Sequence, residues 1–208
     1  MFFTDTQITN GVTKQKTIPS VPAASPDDLI ELLRLDTNGE YNAETGYLTT
    51  LLLTASQYAS HYLRRALLTS TFVRQYEQPR GVPQLSRDHR IPDTIELPYP
   101  PLFTVDRIYV VATDDSEHDI TDYVLDNVSE PARIRLRSFT TGSAFEFLRI
   151  EYTAGYGDHY TDVPQLIQQG ILQHAAYMYE HRGDCSAEDA AHLSGATDLY
   201  HSYQVGVV

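Results

Sequence analysis

The residues of this 208-residue chain with the chemistry of metal ligands or nucleophiles gather near its C-terminal end: His174, His181, Asp184 and Cys185. His174 and His181 stand seven apart and would share one helix face, while His181 and Cys185 stand four apart. Metal ligands on a helix converge at i, i+3 or i+4 with carboxylates alongside. Gly183 intervenes before Cys185, so we assign no metal ligand and read the histidines as core or interface residues. Ser56, His61 and Asp36 have the composition of a hydrolytic triad, but no nucleophile elbow presents the serine. Gly155-Tyr156-Gly157 lacks the Gly-x-x-x-x-Gly-Lys spacing of a phosphate loop and reads as a structural turn. The single cysteine excludes an internal disulfide and a cysteine-based zinc site. We therefore expect no catalytic, cofactor or metal site, and read the chain as a non-enzyme.

Charge narrows the partners. The formal net charge is −13, and duplex affinity is supplied by Lys and Arg, so a compact duplex-binding surface is not expected. An acidic wall that lets DNA slide past is compatible with that charge, and so is simple solubility. Arg133, Arg135 and Arg137 form the one dense basic stripe. Alternate strand positions put all three on one face. That face is open to three readings: solvated, in contact with acidic surface on a neighbouring copy, or turned inward to DNA. MFFTDTQ has neither a basic nor an apolar leader region, so no signal peptide is expected and synthesis is placed in the cytoplasm. The longest apolar run, around Leu51–Leu53, is far short of a membrane span.

The elements that must position these residues centre on Leu148–Gly183. Leu148, Ile150 and Tyr152 alternate with Arg149 and Glu151, the period of a half-buried strand. Gly155 and Gly157 break it, and glycine takes positive φ cheaply. Asp162 is the expected N-cap of a helix over 163–182, with Pro164 in its first turn and Gln165 in the capping-box position. Gly183 is its expected C′ residue, after Arg182. Gly170 in mid-helix costs about 1 kcal/mol against alanine, a cost that a close backbone approach by another helix would offset.

The rest is read in order. Residues 1–24 form a polar extended arm. Ser25-Pro26-Asp27-Asp28 starts a helix over 26–36, ending near Asn38-Gly39, and a second helix covers 42–67. Residues 70–153 hold a β segment: strands at Thr71–Glu77, Val105–Ala112, Asp119–Leu125 and Arg133–Arg137. A loop over Gln78–Thr94 and turns at Leu97–Leu102, Asp114–Ser116 and Thr140–Ser143 connect them. Residues 184–208 are a tail, with Ser186 capping a short helix. The fold class is α+β: a small bundle of N- and C-terminal helices with an inserted antiparallel β segment and extended arms at both ends.

The order of these pieces resembles the C-terminal core of head–tail connector proteins of tailed bacteriophages, also called adaptors, the ring below the portal. The resemblance is carried by the strand ending in Ala154-Gly155-Tyr156-Gly157, by Pro164 with Leu166, and by the helix closing with Tyr179-Glu180-His181-Arg182. The proline-rich turn before a strand and the His61–Arg65 end of the long helix add to it. It covers residues 25–183 and implies a structural virion protein of the neck. Its partners would be its own copies in a dodecameric ring, the portal, and a stopper or tail-terminator protein, with DNA passing through unread. It also implies that the C-terminal end reaches the portal. Tyr200, Tyr203, Val205, Val207 and Val208 would then be docking anchors that contribute nothing to stability, and the arginine stripe would join neighbouring subunits. The alternatives are another neck ring such as a stopper, or a soluble enzyme or binding module.

Overall fold

The computed structural model describes residues 11–35, 41–77, 94–137 and 145–206, without the side chains of 41–44 and 145. The chain is α+β and divides into two compact units, Met1–Ile18 with Ser70–Gly155 and Pro19–Thr69 with Tyr156–Val208. The expected loop over Gln78–Thr94, all but its last residue, the turn at Thr140–Ser143 and the helix end near Asn38-Gly39 lie outside the described residues.

The first unit is built of strands: β1 Gly11–Gln15, β2 Ser70–Glu77, β3 Ile95–Leu97, β4 Leu102–Ala112, β5 Glu117–Asp119, β6 Tyr123–Asp126, β7 Ala132–Leu136 and β8 Phe145–Ala154. They pair as a five-stranded antiparallel sheet, β1-β2-β8-β4-β5, and a three-stranded one, β3-β7-β6. The period of two read from the sequence is visible in β8, where Leu148, Ile150 and Tyr152 are buried between half-exposed neighbours. Tyr152 and Phe72 stack on the buried face, and Tyr99 stacks on Phe72. The Tyr152 hydroxyl donates to the Pro98 carbonyl at 2.9 Å, which seats the proline turn on the sheet. The strand expected over Asp119–Leu125 is two strands. β5 lies on the edge of the larger sheet, and the chain then crosses to pair as β6 with β7.

The expected arm contains a strand. Val12 and Lys14 face out, and Thr13 is buried under Arg74, whose guanidinium donates to the Thr13 hydroxyl at 2.9 Å and to the Tyr76 hydroxyl at 2.7 Å. Gly11 lies opposite Tyr76, and a Cβ there would stand 2.8 Å from the ring. Only one weakly apolar turn of alternation, Gly-Val-Thr-Lys-Gln, marks this strand. Its burial comes from a polar cluster, which hydrophobic periodicity cannot reveal.

The second unit is helical: α1 Pro26–Leu33, α2 Tyr41–Leu63, α3 Gln165–Glu180, α4 Ala187–Leu193 and α5 Ala196–Tyr200, followed by a 3-10 turn over His201–Tyr203. The Ser25 hydroxyl accepts from the Asp28 N–H, as its position before Pro26 predicts. Helices α1 and α2 end at Arg34 and Arg64, both left-handed, earlier than expected. Apolar residues of α1, α2 and α3 share one core with Ala23 and Ala24, and the Ser56 hydroxyl accepts from the Ala23 N–H at 3.0 Å.

That core also takes in the expected tail. Ala190, Ala191, Ala196 and Tyr200 are fully buried, and the Tyr200 ring lies against Gly170. A Cβ at Gly170 would stand 3.0 Å from the ring Cζ and closer still to Cε1, so the partner of this glycine is an aromatic side chain. The ring buries its apolar surface in the space that the missing side chain leaves, against the roughly 1 kcal/mol that glycine costs the helix. Beyond α5 the chain stays tied to the end of α2. The Arg65 side chain donates to the Tyr203 carbonyl at 2.6 Å and the Val205 N–H to the Leu63 carbonyl at 3.1 Å.

Two outcomes follow. Gly170→Leu displaces Tyr200 and lowers stability by about 3 kcal/mol or more, seen as a lower thermal midpoint, because overpacking adds to the lost burial. Deleting Ser186–Val208 uncovers α3 and produces a chain with weakened near-ultraviolet dichroism and cooperative unfolding lost from the helical unit. Wild-type melting of either variant would contradict the packing.

Candidate functional site

The residues around the glycine turn carry structural work that differs from the sequence reading. Gly155, at φ 139, is the one residue of the pair with positive φ, and its N–H donates to the Pro101 carbonyl at 2.9 Å. Gly157 is required for another reason: the Asp162 carboxylate occupies the place of a Cβ. Asp162 does not cap α3. It ends a 3-10 turn, Tyr160–Asp162, and accepts from the His159 N–H at 3.1 Å. Pro164 is itself the N-cap residue of α3, and the Gln168 amide donates to the Val163 carbonyl at 2.7 Å. A proline can occupy the cap because no helical hydrogen bond needs its missing N–H. Gly183, at φ 84, follows a helix capped by His181, one residue later than a C′ glycine would stand.

The Tyr179-Glu180-His181-Arg182 motif resolves into a clamp. The Arg182 guanidinium lies 4.2 Å from the Tyr179 ring centre and 4.7 Å from that of Tyr47 on α2. Each such contact contributes about 0.5–1 kcal/mol where it is exposed. His181 stacks on Tyr177 at 4.0 Å, and its Nδ1 lies 3.0 Å from the Tyr177 carbonyl. Among the described residues no group of three or more His, Cys, Asp or Glu is placed to hold a metal.

His174 is fully buried, with the Tyr58 ring edge-on at 5.2 Å. Neither ring nitrogen has a partner at hydrogen-bond geometry among the described residues, and the Tyr200 hydroxyl is likewise unpartnered. Burial pushes the His174 pKa down to about 4, against a weak opposing interaction with the Ala187 backbone. The sequence signal was present, since His174 lies one turn beyond Gly170 on the apolar face of α3.

The arginine stripe lies where alternation put it. Arg133, Arg135 and Arg137 are all exposed, while the alternate positions Ala132 and Ile134 are buried and Leu136 is half-buried. Arg133 is flanked by Glu96 on β3 and Asp126 on β6, and pairs with Glu96 at 3.2 Å. Arg135 lies opposite Val124. Neither Arg135 nor Arg137 has an ion-pair partner among the described residues. On the larger sheet Arg107 bridges Glu117 at 2.6 Å and Asp119 at 2.7 Å, and Lys16 pairs with Glu151 at 2.7 Å, an ion pair that holds the Glu151 carboxyl below its usual range.

Of the expected docking anchors, Tyr200 is unavailable: it is fully buried. The expectation that these residues contribute nothing to stability fails, because small alanines and one tyrosine suffice to pack the tail where α3 supplies the facing surface. Tyr203 packs partly against the helical core and Val205 is half-buried. Val207 and Val208 lie outside the described residues.

The buried imidazole fixes a pH response. His174 favours its neutral form in the fold, so its contribution is complete above about pH 6.5 and is lost as pH falls toward 4. Denaturant midpoints measured across that window decline with acidity, and His174→Gln removes that part of the slope. An unchanged slope in the variant would contradict this assignment.

No protein-family model matches the chain, and no curated protein matches it. Solved structures do. A chain from the neck of an empty GTA particle computed with C6 symmetry is 23% identical, with a TM-score of 0.74 over 94% of this chain and 96% of that one. A chain from the virion of a native gene transfer agent (GTA) particle is 22% identical, with a TM-score of 0.73 over 94% and 96%. A chain from the neck of a native GTA particle computed with C12 symmetry is 23% identical, with a TM-score of 0.63 over 94% and 97%. From the glycine turn to the buried C-terminal helices, this chain has the fold of chains found in the necks of phage-like particles.

Proposed function

We propose that the chain is a structural subunit of a particle neck, forming the adaptor ring that joins the portal of a DNA-filled head to the tail. The observation that carries this reading is the fold shared with neck chains over 94% of the length. The Tyr179–Arg182 clamp and the glycine turn support it, because the sequence features of the resemblance are packed structural parts of the fold. The particles whose necks share this fold were computed with C6 and C12 symmetry, which fits a ring of copies and the dodecamer the resemblance implies. A stopper ring is the weaker reading, since such proteins are mostly β and the described residues here include five helices.

In this role the portal, a stopper or tail-terminator protein, and neighbouring copies are the protein partners. DNA passes through a channel whose acidic wall repels its backbone. Docking on the portal falls to Val205, Val207 and Val208, because Tyr200 is committed to the core and Tyr203 is partly so. The chain contributes shape and surface and needs no cofactor.

The strong like charge predicts a weakly associated isolated protein that closes into a ring on a portal template. Native mass spectrometry of the chain alone, and then with a portal ring, reads this directly. Conversion of small species into a ring on the portal is expected. A tight ring at sub-micromolar concentration without portal contradicts the templated step, and no ring with portal contradicts the adaptor reading.

A further inference from the structure

The chain's charges are unevenly divided between its two units. The strand unit holds 11 of the 15 basic residues and has a formal charge of −4. The helical unit has four arginines against 13 acids, a formal charge of −9. One of those four, Arg182, is already occupied by Tyr47 and Tyr179. A ring needs a heterologous interface, in which two different surfaces of the same chain meet. Copies carrying −13 each repel unless those surfaces differ locally in sign.

The strand unit presents such a surface on β7. Arg133 is balanced by the acids on either side, whereas Arg135 is exposed opposite Val124, itself 39% exposed, and Arg137 is exposed at the strand end, its N–H donating to the Asp122 carbonyl. The neighbouring apolar side chain argues against a polyanion as the occupant: DNA phosphates would gain nothing from a valine. An acidic protein surface with its own apolar residue fits better. The helical unit has one around α4. Asp184, ahead of α4, is exposed, as are Glu188 and Asp189 in its first turn, and Leu193 at the end of the helix is 65% exposed. Asp189 is held by the Ser186 hydroxyl and N–H, which leaves Asp184 and Glu188 as the available carboxylates. Helix α1 also exposes acids, but it ends in Arg34, which weakens its field.

We propose that Arg135 and Arg137 on β7 of one copy dock on the Asp184 and Glu188 face of a second copy, with Val124 and Leu193 at the centre of the contact. This rests on the neck-ring reading and names the subunit surface that reading leaves open.

The test uses the full chain in sedimentation velocity at low salt, with concentration raised until wild type self-associates weakly. Arg135→Glu with Arg137→Glu weakens association by about tenfold or more, as exposed charge reversals at an interface do. Asp184→Arg with Glu188→Arg does the same. All four changes in one chain restore it, and added salt weakens wild type but not the first two variants to the same degree. All substituted positions are exposed, and circular dichroism checks that each variant stays folded. Equal association of all variants, or no recovery in the fourfold variant, overturns the pairing. So does an absence of wild-type association at any concentration, which leaves ring formation on the portal as the separate test of the neck-ring reading. If the arginine variant instead loses binding to a short DNA duplex, with self-association intact, the stripe is a DNA contact and the proposal fails.

Discussion

The contact between Gly170 and the Tyr200 ring is the constraint on which the helical unit depends. Every large side chain on that face of α3 would exclude the tyrosine, and without the tyrosine the last two helices lose their anchor. The glycine lowers the intrinsic stability of α3 and makes the room in which the ring is buried. His174 lies one turn along the same face and is sealed in with Tyr58, so the same packing produces a neutral imidazole and an acid-sensitive core. Arg65, through the Tyr203 carbonyl, continues the attachment past α5. The C-terminal residues thereby become part of the body, and of the expected portal anchors only those past Tyr203 are left uncommitted to it.

Much of this fold was legible in the residues. The alternation of β7 and β8, the Ser25 and Ser186 caps and the apolar face of α3 each follow from a period or a cap that side-chain chemistry imposes locally. What was not legible depended on partners distant in sequence. Strand β1 is held by Arg74 and Tyr76, roughly 60 positions away, and hydrophobic periodicity does not register a buried guanidinium. Asp162 looked like a helix cap because its chemistry suits one, but Gly157 admits its carboxylate and turns it to the His159 N–H instead. Gly170 was recognised as a close-approach position, and the approaching group was misread as backbone because an aromatic ring 30 residues on leaves no local trace. The same blindness made the tail appear free.

For the surface, alternation located the arginine stripe, but only the strand pairing distinguishes its members. Arg133 is neutralised by its cross-strand neighbours, whereas Arg135 faces a valine. Two units with different charge give the chain unlike faces, and unlike faces are what a closed ring of identical copies requires. In the proposed ring, stability lies in the strand and helix cores and assembly in the charge that those cores leave at the surface.

The central claim is that this chain forms a ring in the neck of a particle. Electron cryomicroscopy of assembled particles containing it tests that most directly. The account predicts a closed ring of copies of this fold at the head–tail junction, surrounding the axial channel. Copies located in the capsid shell, the tail tube or nowhere in the particle would contradict it.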